Sequence, residues 1–206
     1  MSSTINTTNI KHASSSSNNL VLASDGGITF EKPPAKGRQV LEQFFTSCDG
    51  TTITTTGGDI TTADVTAEQD LSTSYVTCSG SSISYTPPAG TTQVIYEYQL
   101  QIRRKDTLPL IHFRLSIGGT EVTNFRRTQR AEYLYLYMPY KYCFHIGGSA
   151  DAATGRQATW TSAKTIMLEA REYSSAQEAY LHSADGWDGS SVSYVIKPSV
   201  GITAIG

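Results

Sequence analysis

Charged residues are scarce in this chain. They make up 17% of its 206 residues, and the formal net charge is -2. An average soluble domain carries about 25% charged residues. A chain without excess positive charge lacks the field that attracts nucleic acid or anionic membranes non-specifically. We therefore expect no nucleic-acid partner and no membrane insertion, and the length predicts one globular unit with some extra chain.

Cysteine and long hydrophobic runs are also scarce. The three cysteines, Cys48, Cys78 and Cys143, show neither CxxC nor Cys/His ligand spacing. That pattern disfavours a disulfide framework and a zinc site, and it predicts buried thiols in a reducing cell. The chain has no apolar run near the roughly 20 residues of a membrane helix, and it shows no signal-peptide pattern at its start. We expect neither a transmembrane segment nor classical secretion.

Small polar residues and tyrosine are abundant instead. The chain contains 24 serines, 27 threonines, 12 tyrosines and 17 glycines. Threonine and tyrosine fit the pleated surface of a sheet, whereas serine and glycine favour turns over helices. This composition predicts an all-β protein.

The first 36 residues differ from the rest of the chain. Residues 1–24 are mostly serine, threonine and asparagine, with one short apolar run at 20–22. Such a segment buries too little apolar surface to offset its ordering entropy, so we expect it to order only against another surface. A proline-rich stretch then predicts a stiff linker. We place the boundary near Lys36, with an extended segment at 1–36 and a globular domain at 37–206.

Alternation of apolar and polar residues predicts the strands of the second domain. The pattern is strongest at 94–103 and 111–117 and is typical of half-buried strands, and Gly118-Gly119 predicts a hairpin turn after them. Weaker patterns predict strands at 39–47, 51–56, 120–125, 133–138, 142–146, 165–172 and 192–200, and a polar surface loop with room for one helical turn at 57–74. About nine strands favour an antiparallel β-sandwich, with a jelly roll as the leading topology.

The sequence motifs of common enzymes are absent. The chain contains no GxSxG, GxxxxGK[ST], GxGxxG or HExxH pattern, so we expect no catalytic residue, no metal and no cofactor. The histidines His12, His112, His145 and His182 stand singly, which favours packed residues over bases or ligands.

Two pairs of acidic residues are candidates for a binding or catalytic site. Asp185 and Asp188 lack the ligand series of an EF-hand loop, so a tight turn is favoured over a calcium site. Glu169 and Glu172 fall on alternate faces of one predicted strand and do not form an acid/base pair within it. Sequence spacing does not show which carboxylates from distant positions the fold brings together.

Basic residues are concentrated at two turn-like places, residues 103–105 and the group Arg126, Arg127 and Arg130. Two interpretations are open. The residues could be solvated strand ends that discourage edge-to-edge aggregation. Alternatively, they could bind an acidic polysaccharide, a phosphate or a carboxylate of a neighbouring subunit.

Tyrosines recur at 133, 135, 137, 140 and 142, and the side chains on both faces of the predicted strand at 133–138 are bulky. Both faces of that strand are therefore expected to contact protein. Aromatic rows are enriched at interfaces and at sugar-contacting surfaces, but they also fill cores. The sequence leaves both interpretations open.

The segment from Asn9 to Phe30 resembles the N-terminal segment of virion structural proteins of marine tailed phages, cyanophages in particular. There a module of the form I-K-x-A-S-S-x-x-N-x-L-x-L-x-S-D-G precedes unrelated C-terminal domains, and this chain carries the string in order from residue 10. The resemblance implies that the segment anchors the protein in a virion and predicts virion localisation after synthesis in the host cytoplasm. The residues that it assigns to anchoring are Ile10, His12, Leu20, Val21 and Leu22.

The alternating region 95–117 is similar to the β-sandwich domains that terminate viral fibre-like proteins, in the style of trimeric C1q or tumour-necrosis-factor jelly rolls. This resemblance implies a homotrimer, with Tyr133, Tyr135 and Tyr137 at the three-fold contact. Only residues 31–38 separate the anchor from the sandwich, which favours a short fibre or a capsid-surface protein over a long rod.

These expectations combine into one hypothesis. The protein is expected to be a non-enzymatic phage virion protein, a short tail fibre whose trimeric head contacts the host surface. The expected partners are further copies of itself, other virion proteins and a host-surface polysaccharide bound through many weak contacts. The alternatives are a capsid decoration protein, a sugar-binding module, and a carbohydrate-active enzyme with two carboxyl groups roughly 5 to 9.5 Å apart.

Overall fold

The computed structural model describes residues 39–105, 108–186 and 193–206, together with three short strands of the N-terminal part. The chain divides into two compact units, Met1–Arg38 and Gln39–Gly206. In the first unit, β1 (Asn9–Ile10), β2 (Leu20–Leu22) and β3 (Ile28–Thr29) pair in an antiparallel sheet. His12, one of the predicted anchor residues, lies outside the described residues.

The second unit is all-β, with no helix among its described residues. Its strands are β4 (Val40–Ser47), β5 (Thr52–Thr55), β6 (Gly58–Thr61), β7 (Gln69–Asp70), β8 (Val76–Thr77), β9 (Ile83–Tyr85), β10 (Gln93–Arg104), β11 (Leu110–Ile117), β12 (Thr120–Arg130), β13 (Tyr135–His145), β14 (Lys164–Glu172), β15 (Ala179–Leu181), β16 (Ser183–Ala184), β17 (Tyr194–Val195) and β18 (Ser199–Ile205). In the described part of the chain, no helix is long and apolar enough to cross a membrane.

Eight of these strands form a jelly roll. One sheet has the order β4-β18-β10-β13 and the other has the order β9-β14-β11-β12, with every pair antiparallel. This is the double Greek-key order, in which the first strand lies beside the last. Strands β15 and β7 extend the first sheet to six strands, and β8 extends the second to five. The predicted antiparallel β-sandwich and its jelly-roll topology are confirmed.

The core lies between the inner faces of the two sheets. Strand β10 turns every second residue inward, and β11 and β14 do the same from the opposite sheet, so that strong alternation in the sequence becomes a continuous apolar layer. Buried tyrosines of β10 keep their hydroxyl groups satisfied. Tyr96 donates to the carbonyl oxygen of Ser81 and Tyr98 donates to that of Ser79, each at 2.6 Å. The inward residues of these strands are Val94, Tyr96, Tyr98, Leu100, Ile102, Ile111, Phe113, Leu115, Ile117, Ile166, Leu168 and Ala170.

The sandwich has two distinct ends. At the base end the first and last residues of the unit meet: the amide of Gln39 donates to the carbonyl oxygen of Gly206 at 3.3 Å, and the amide of Gly206 donates to that of Gln39 at 2.9 Å. Strand β10 runs from this end for about 35 Å at the usual rise of a strand. It leads to the far end, where the amide of Arg104 donates to the carbonyl oxygen of Leu134 at 2.9 Å.

Two predicted segments were wrong in their secondary structure. Residues 57–74, expected to be a surface loop, contain β6 and β7 and bury Ile60, Val65 and Leu71. Isolated apolar residues in short strands show no periodicity, so no sequence pattern indicates them. The single strand expected at 192–200 is instead two strands, the two-residue β17 and then β18, which begins at Ser199 and runs to Ile205; residue 192 lies outside the described residues.

Other strands are longer than expected. The segments 133–138 and 142–146 were predicted as separate strands, but one strand, β13, runs through Pro139. Because β13 is an edge strand, it is a position where a sheet tolerates proline. Strand β12 continues to Arg130, so Arg126 and Arg127 lie inside a strand and the prediction of a turn there was wrong.

The prediction of buried cysteine thiols is confirmed at two of the three positions. Cys48 and Cys78 are fully buried, and Cys143 is half-buried on the outer face of β13. Burial raises the pKa of the Cys48 thiol to about 12 and raises that of Cys78 as well. At neutral pH both side chains therefore act as small uncharged residues of the core.

Candidate functional site

The tyrosine series of β13 divides between the two faces of the strand. Tyr133, just before the strand, is 75% exposed, and Tyr137 is 56% exposed on the outer face. Tyr140 instead points into the core, where its ring lies 4.9 Å from that of Phe113. Positions 137 and 140 are three residues apart and so have opposite parity on a strand. Core packing and surface exposure, which the sequence left as alternatives, each hold for part of the series.

Tyr135 has a role inside the subunit. Its hydroxyl accepts a hydrogen bond from the amide of Asp185 at 2.9 Å and donates to the carbonyl oxygen of the same residue at 3.0 Å. The side chain therefore holds the segment that follows β16 against β13. Of the three tyrosines predicted at a trimer contact, Tyr133 and Tyr137 present the exposed rings.

Arg103, part of the first predicted basic group, makes its hydrogen bonds within the subunit. Its guanidinium donates to Glu68 and to Asp185, each at 2.9 Å, and to the hydroxyl of Ser183 at 2.7 Å. It also lies 4.3 Å from the ring centre of Tyr180. These contacts fix the far end of β10 to neighbouring segments and leave Arg103 little capacity for an external ligand.

The possible calcium site is not assembled by the residues described. One carboxylate oxygen of Asp185 accepts from Arg103 and the other accepts from the hydroxyl of Ser193. Asp188 lies outside the described residues. Within 39–105, 108–186 and 193–206, no three histidine, cysteine or acidic side chains cluster as metal ligands do.

The outer face of the six-stranded sheet carries uncovered apolar side chains. Phe45 is 52% exposed and lies over Gly201 of the neighbouring strand, where an added Cβ would come within 2.5 Å of the phenyl ring. Val40 and Leu41 are also exposed on β4. The face is mixed rather than uniformly apolar, because Lys141 pairs with Glu97 at 2.9 Å in the same row as Phe45 and Gly201, between Phe45 and the exposed ring of Tyr137.

The outer face of the five-stranded sheet is charged. Arg114 makes a two-bond ion pair with Glu169, at 2.8 and 2.9 Å, and Arg126 pairs with Glu121 at 2.7 Å. The ring of Tyr75 lies 4.2 Å from the guanidinium of Arg114. The ion pair also accounts for Glu169, which the sequence had raised as a candidate carboxylate.

The far end of this charged face brings together residues from three strands. His112 of β11 lies between Thr128 of β12 and Arg171 of β14, and its Nδ1 is 3.0 Å from the Thr128 hydroxyl oxygen. Arg130 lies opposite Leu110 in the next row. Tyr173 is 58% exposed, with its ring centre 5.9 Å from that of His112.

Burial, and then the charge of Arg171, lower the pKa of His112 and so favour its uncharged imidazole. The sequence analysis missed Arg171 and Tyr173 as functional candidates. Alternation with the buried residues of β14 would have placed Arg171 on an outer face, but no sequence pattern shows which residues lie beside it.

The remaining candidate residues are buried or solitary. His182 is fully buried, whereas His145 is exposed on β13. Glu172 is also buried: its Oε1 accepts from the amide of Ala179 at 2.9 Å, and burial raises its pKa. A polysaccharide substrate would not reach this carboxyl group, which therefore does not serve the predicted alternative of a carbohydrate-active enzyme.

Of the cavities formed by the described residues, two lie at opposite ends of the sandwich. The cavity at the base end has a volume of about 380 Å³ and is walled by Trp160, by the turn at 86–91 and by residue 146. The far-end cavity, of about 480 Å³, is lined by Gln101, Ala184, Tyr194 and Ile196. Neither lining includes a charged side chain, so neither offers the paired acid and base of a hydrolase.

The chain was compared with protein families, curated proteins and solved structures. No protein-family model matches the chain, and no curated protein matches it. Among solved structures, the chain is similar to a chain in the structure of infectious bursal disease virus, Gx strain, with a TM-score of 0.40 and 12% identity over 90% of this chain and 41% of that one. For the Gt strain the TM-score is 0.36, with 11% identity over 91% of this chain and 50% of that one. The chain therefore spans half or less of each of these two chains.

Proposed function

We propose that this protein is a non-enzymatic structural protein of a tailed-phage virion, a short tail fibre whose N-terminal segment anchors it and whose β-sandwich head contacts the host surface as a homotrimer. The observation that carries the proposal is the exposure of Tyr133 and Tyr137 on a jelly-roll unit that is separate from the first 38 residues. Their exposed rings supply the kind of anchor residue that protein interfaces use.

The arrangement of the head supports this role. The chain enters the sandwich at Gln39 at the base end, whereas Tyr133, Leu134 and Tyr137 lie toward the far end of β13. The outer face of the six-stranded sheet also exposes Phe45. A ring of three copies could cover these apolar side chains and still leave the charged face of the other sheet accessible.

The trimer is tested by light scattering on the full-length protein. We expect a mass near three times 22.3 kDa. Tyr137→Asp should produce monomers, because it places a charge in the apolar contact. The matched control is Tyr173→Asp: Tyr173 is 58% exposed, close to the 56% of Tyr137, but it lies on the other sheet and should leave the trimer intact. A monomeric wild-type protein, or a trimeric Tyr137→Asp variant, contradicts the proposed contact.

The anchor is tested by deleting residues 1–30 and comparing particles of the phage that encodes the protein. The truncated protein should be absent from purified particles, and its circular dichroism should still show the folded sandwich, because the two units are separately compact. Immunogold labelling of the wild-type protein should mark the tail. Labelling over the capsid would replace the tail-fibre assignment with capsid decoration, and incorporation of the truncated protein would overturn the anchor.

A further inference from the structure

We infer that the far end of the outer face of the five-stranded sheet binds an acidic polysaccharide. The binding residues are Arg130 and Arg171, with the exposed ring of Tyr173 and the imidazole of His112 beside them. We call this group the far-end basic patch. The inference rests on the proposed contact with the host surface and names the chemistry of the molecule bound there.

The two arginines of the far-end basic patch retain donor capacity that the other arginines of this face have lost. Arg114 and Arg126 are paired with glutamates. Arg130 forms no ion pair with any acidic side chain of the described residues, and Arg171 donates only to backbone carbonyl oxygens, of Glu172 at 3.2 Å and of Thr73 at 3.5 Å. A guanidinium without an acidic partner is a ready donor to carboxylate or sulfate groups.

In the described part of the chain, the acidic residues near the far-end basic patch do not cancel its charge. Glu169 is occupied by Arg114, and Glu172 points into the core. Among the described residues, the exposed Glu132, close to Arg130 in sequence, is the acidic side chain best placed to weaken binding of an anionic ligand. The patch is therefore positive on a chain whose formal net charge is -2.

The spacing of the two arginines fits a polymer better than a single small ion. Arg130 and Arg171 lie on strands that flank β11 on either side, one row apart. At the usual strand spacing and rise, their Cα atoms are roughly 12 Å apart. Long side chains at that separation can engage successive charged groups of an extended chain.

The aromatic rings favour a sugar polymer over other polyanions. Tyr173 presents an exposed ring directly beside the arginines, and such rings pack against the apolar faces of sugars while their polar edges remain hydrated. Long duplex nucleic acid would also meet the negative charge that the chain carries elsewhere, such as the seven acidic residues in 39–102, where no lysine or arginine occurs. The observations therefore favour an acidic polysaccharide.

The test measures binding of the full-length protein to immobilised dextran sulfate, with uncharged dextran as the matched polymer. We expect binding to dextran sulfate alone, weakening between about 50 and 200 mM salt as bound counterions are displaced. Arg130→Gln and Arg171→Gln should each lower the affinity by about fivefold, and Glu132→Gln should raise it by about twofold. Arg156→Gln removes the same charge from an exposed base-end position and should change nothing.

Three outcomes would overturn the inference: equal binding to dextran, an Arg156→Gln loss as large as that of Arg171→Gln, or equal affinity for duplex DNA at the same salt concentration. If the protein is trimeric and present in virions but fails this binding test, the proposed function stands and only the proposed ligand is wrong. If the protein binds dextran sulfate through the far-end basic patch but is absent from particles, the proposed ligand stands and the proposed virion role is wrong.

Discussion

Trp160→Ala is expected to lower the free energy of unfolding by about 3 to 5 kcal/mol, the usual cost of emptying a large aromatic site in a core. Trp160 is 4% exposed although it lies in the connection between β13 and β14. Its ring meets Tyr85 and Phe144 edge-on, at centroid distances of 6.3 and 6.0 Å. Its indole N–H also donates to the carbonyl oxygen of Tyr85 at 3.0 Å. Removing it takes away both the packing and the donor.

Two variants separate these contributions, with urea unfolding followed by far-ultraviolet circular dichroism. Trp160→Phe keeps most of the apolar volume but leaves the carbonyl oxygen of Tyr85 without its indole donor, so it should cost about 1 to 2 kcal/mol. Tyr173→Ala removes an exposed ring and should cost no more than about 0.5 kcal/mol. If Trp160→Ala costs no more than Tyr173→Ala, the aromatic cluster at the base end does not stabilise the fold.

The stability of the protein is expected to fall as the pH drops below about 6.5, because of His182. Burial lowers the pKa of this imidazole from 6.5 to about 4, with a backbone hydrogen bond to Ser79 opposing the shift. Between these two values the unfolded chain binds a proton that the folded chain rejects. The free energy of unfolding should therefore lose on the order of 3 kcal/mol between pH 6.5 and pH 4 and should be unaffected by this group at higher pH.

The variant that tests this is His182→Asn. His182 has a φ of 66°, and asparagine tolerates this left-handed conformation better than most residues. The difference in stability between wild type and variant should depend on pH only across this window, which removes the contribution of the carboxylates common to both proteins. His145→Asn, at an exposed position, is the matched control for replacing a histidine outside the core. A pH-independent difference for His182→Asn contradicts the assignment.

The fold could be predicted where side-chain burial dictates a strict pattern. Strands β10 and β11 each bury one face fully, so their alternation identified them and the all-β class from the sequence. Residues 57–74 failed because Ile60, Val65 and Leu71 enter the core singly from short segments. Such contacts depend on the rest of the fold and leave no periodic trace.

The candidate surfaces were predictable only in part. The exposed ring of Tyr137 belongs to a series that the sequence singled out, but the change of parity before Tyr140 becomes visible only when the strand is continuous through Pro139. The far-end basic patch was even harder to predict from the sequence. Arg130 and Arg171 belong to strands on either side of β11, and strand register is set by tertiary pairing rather than by local sequence.

The two hydrogen bonds between the backbones of Gln39 and Gly206 hold the first and last residues of the sandwich next to each other. Residues 39–206 could be spliced into a surface loop of another protein through two short linkers, without stretching either end, as insertions between adjacent termini generally allow. A fluorophore or affinity tag placed after Gly206 would sit at the base end, about 35 Å from the far end. A label at that position should therefore leave the proposed host-surface contact unobstructed.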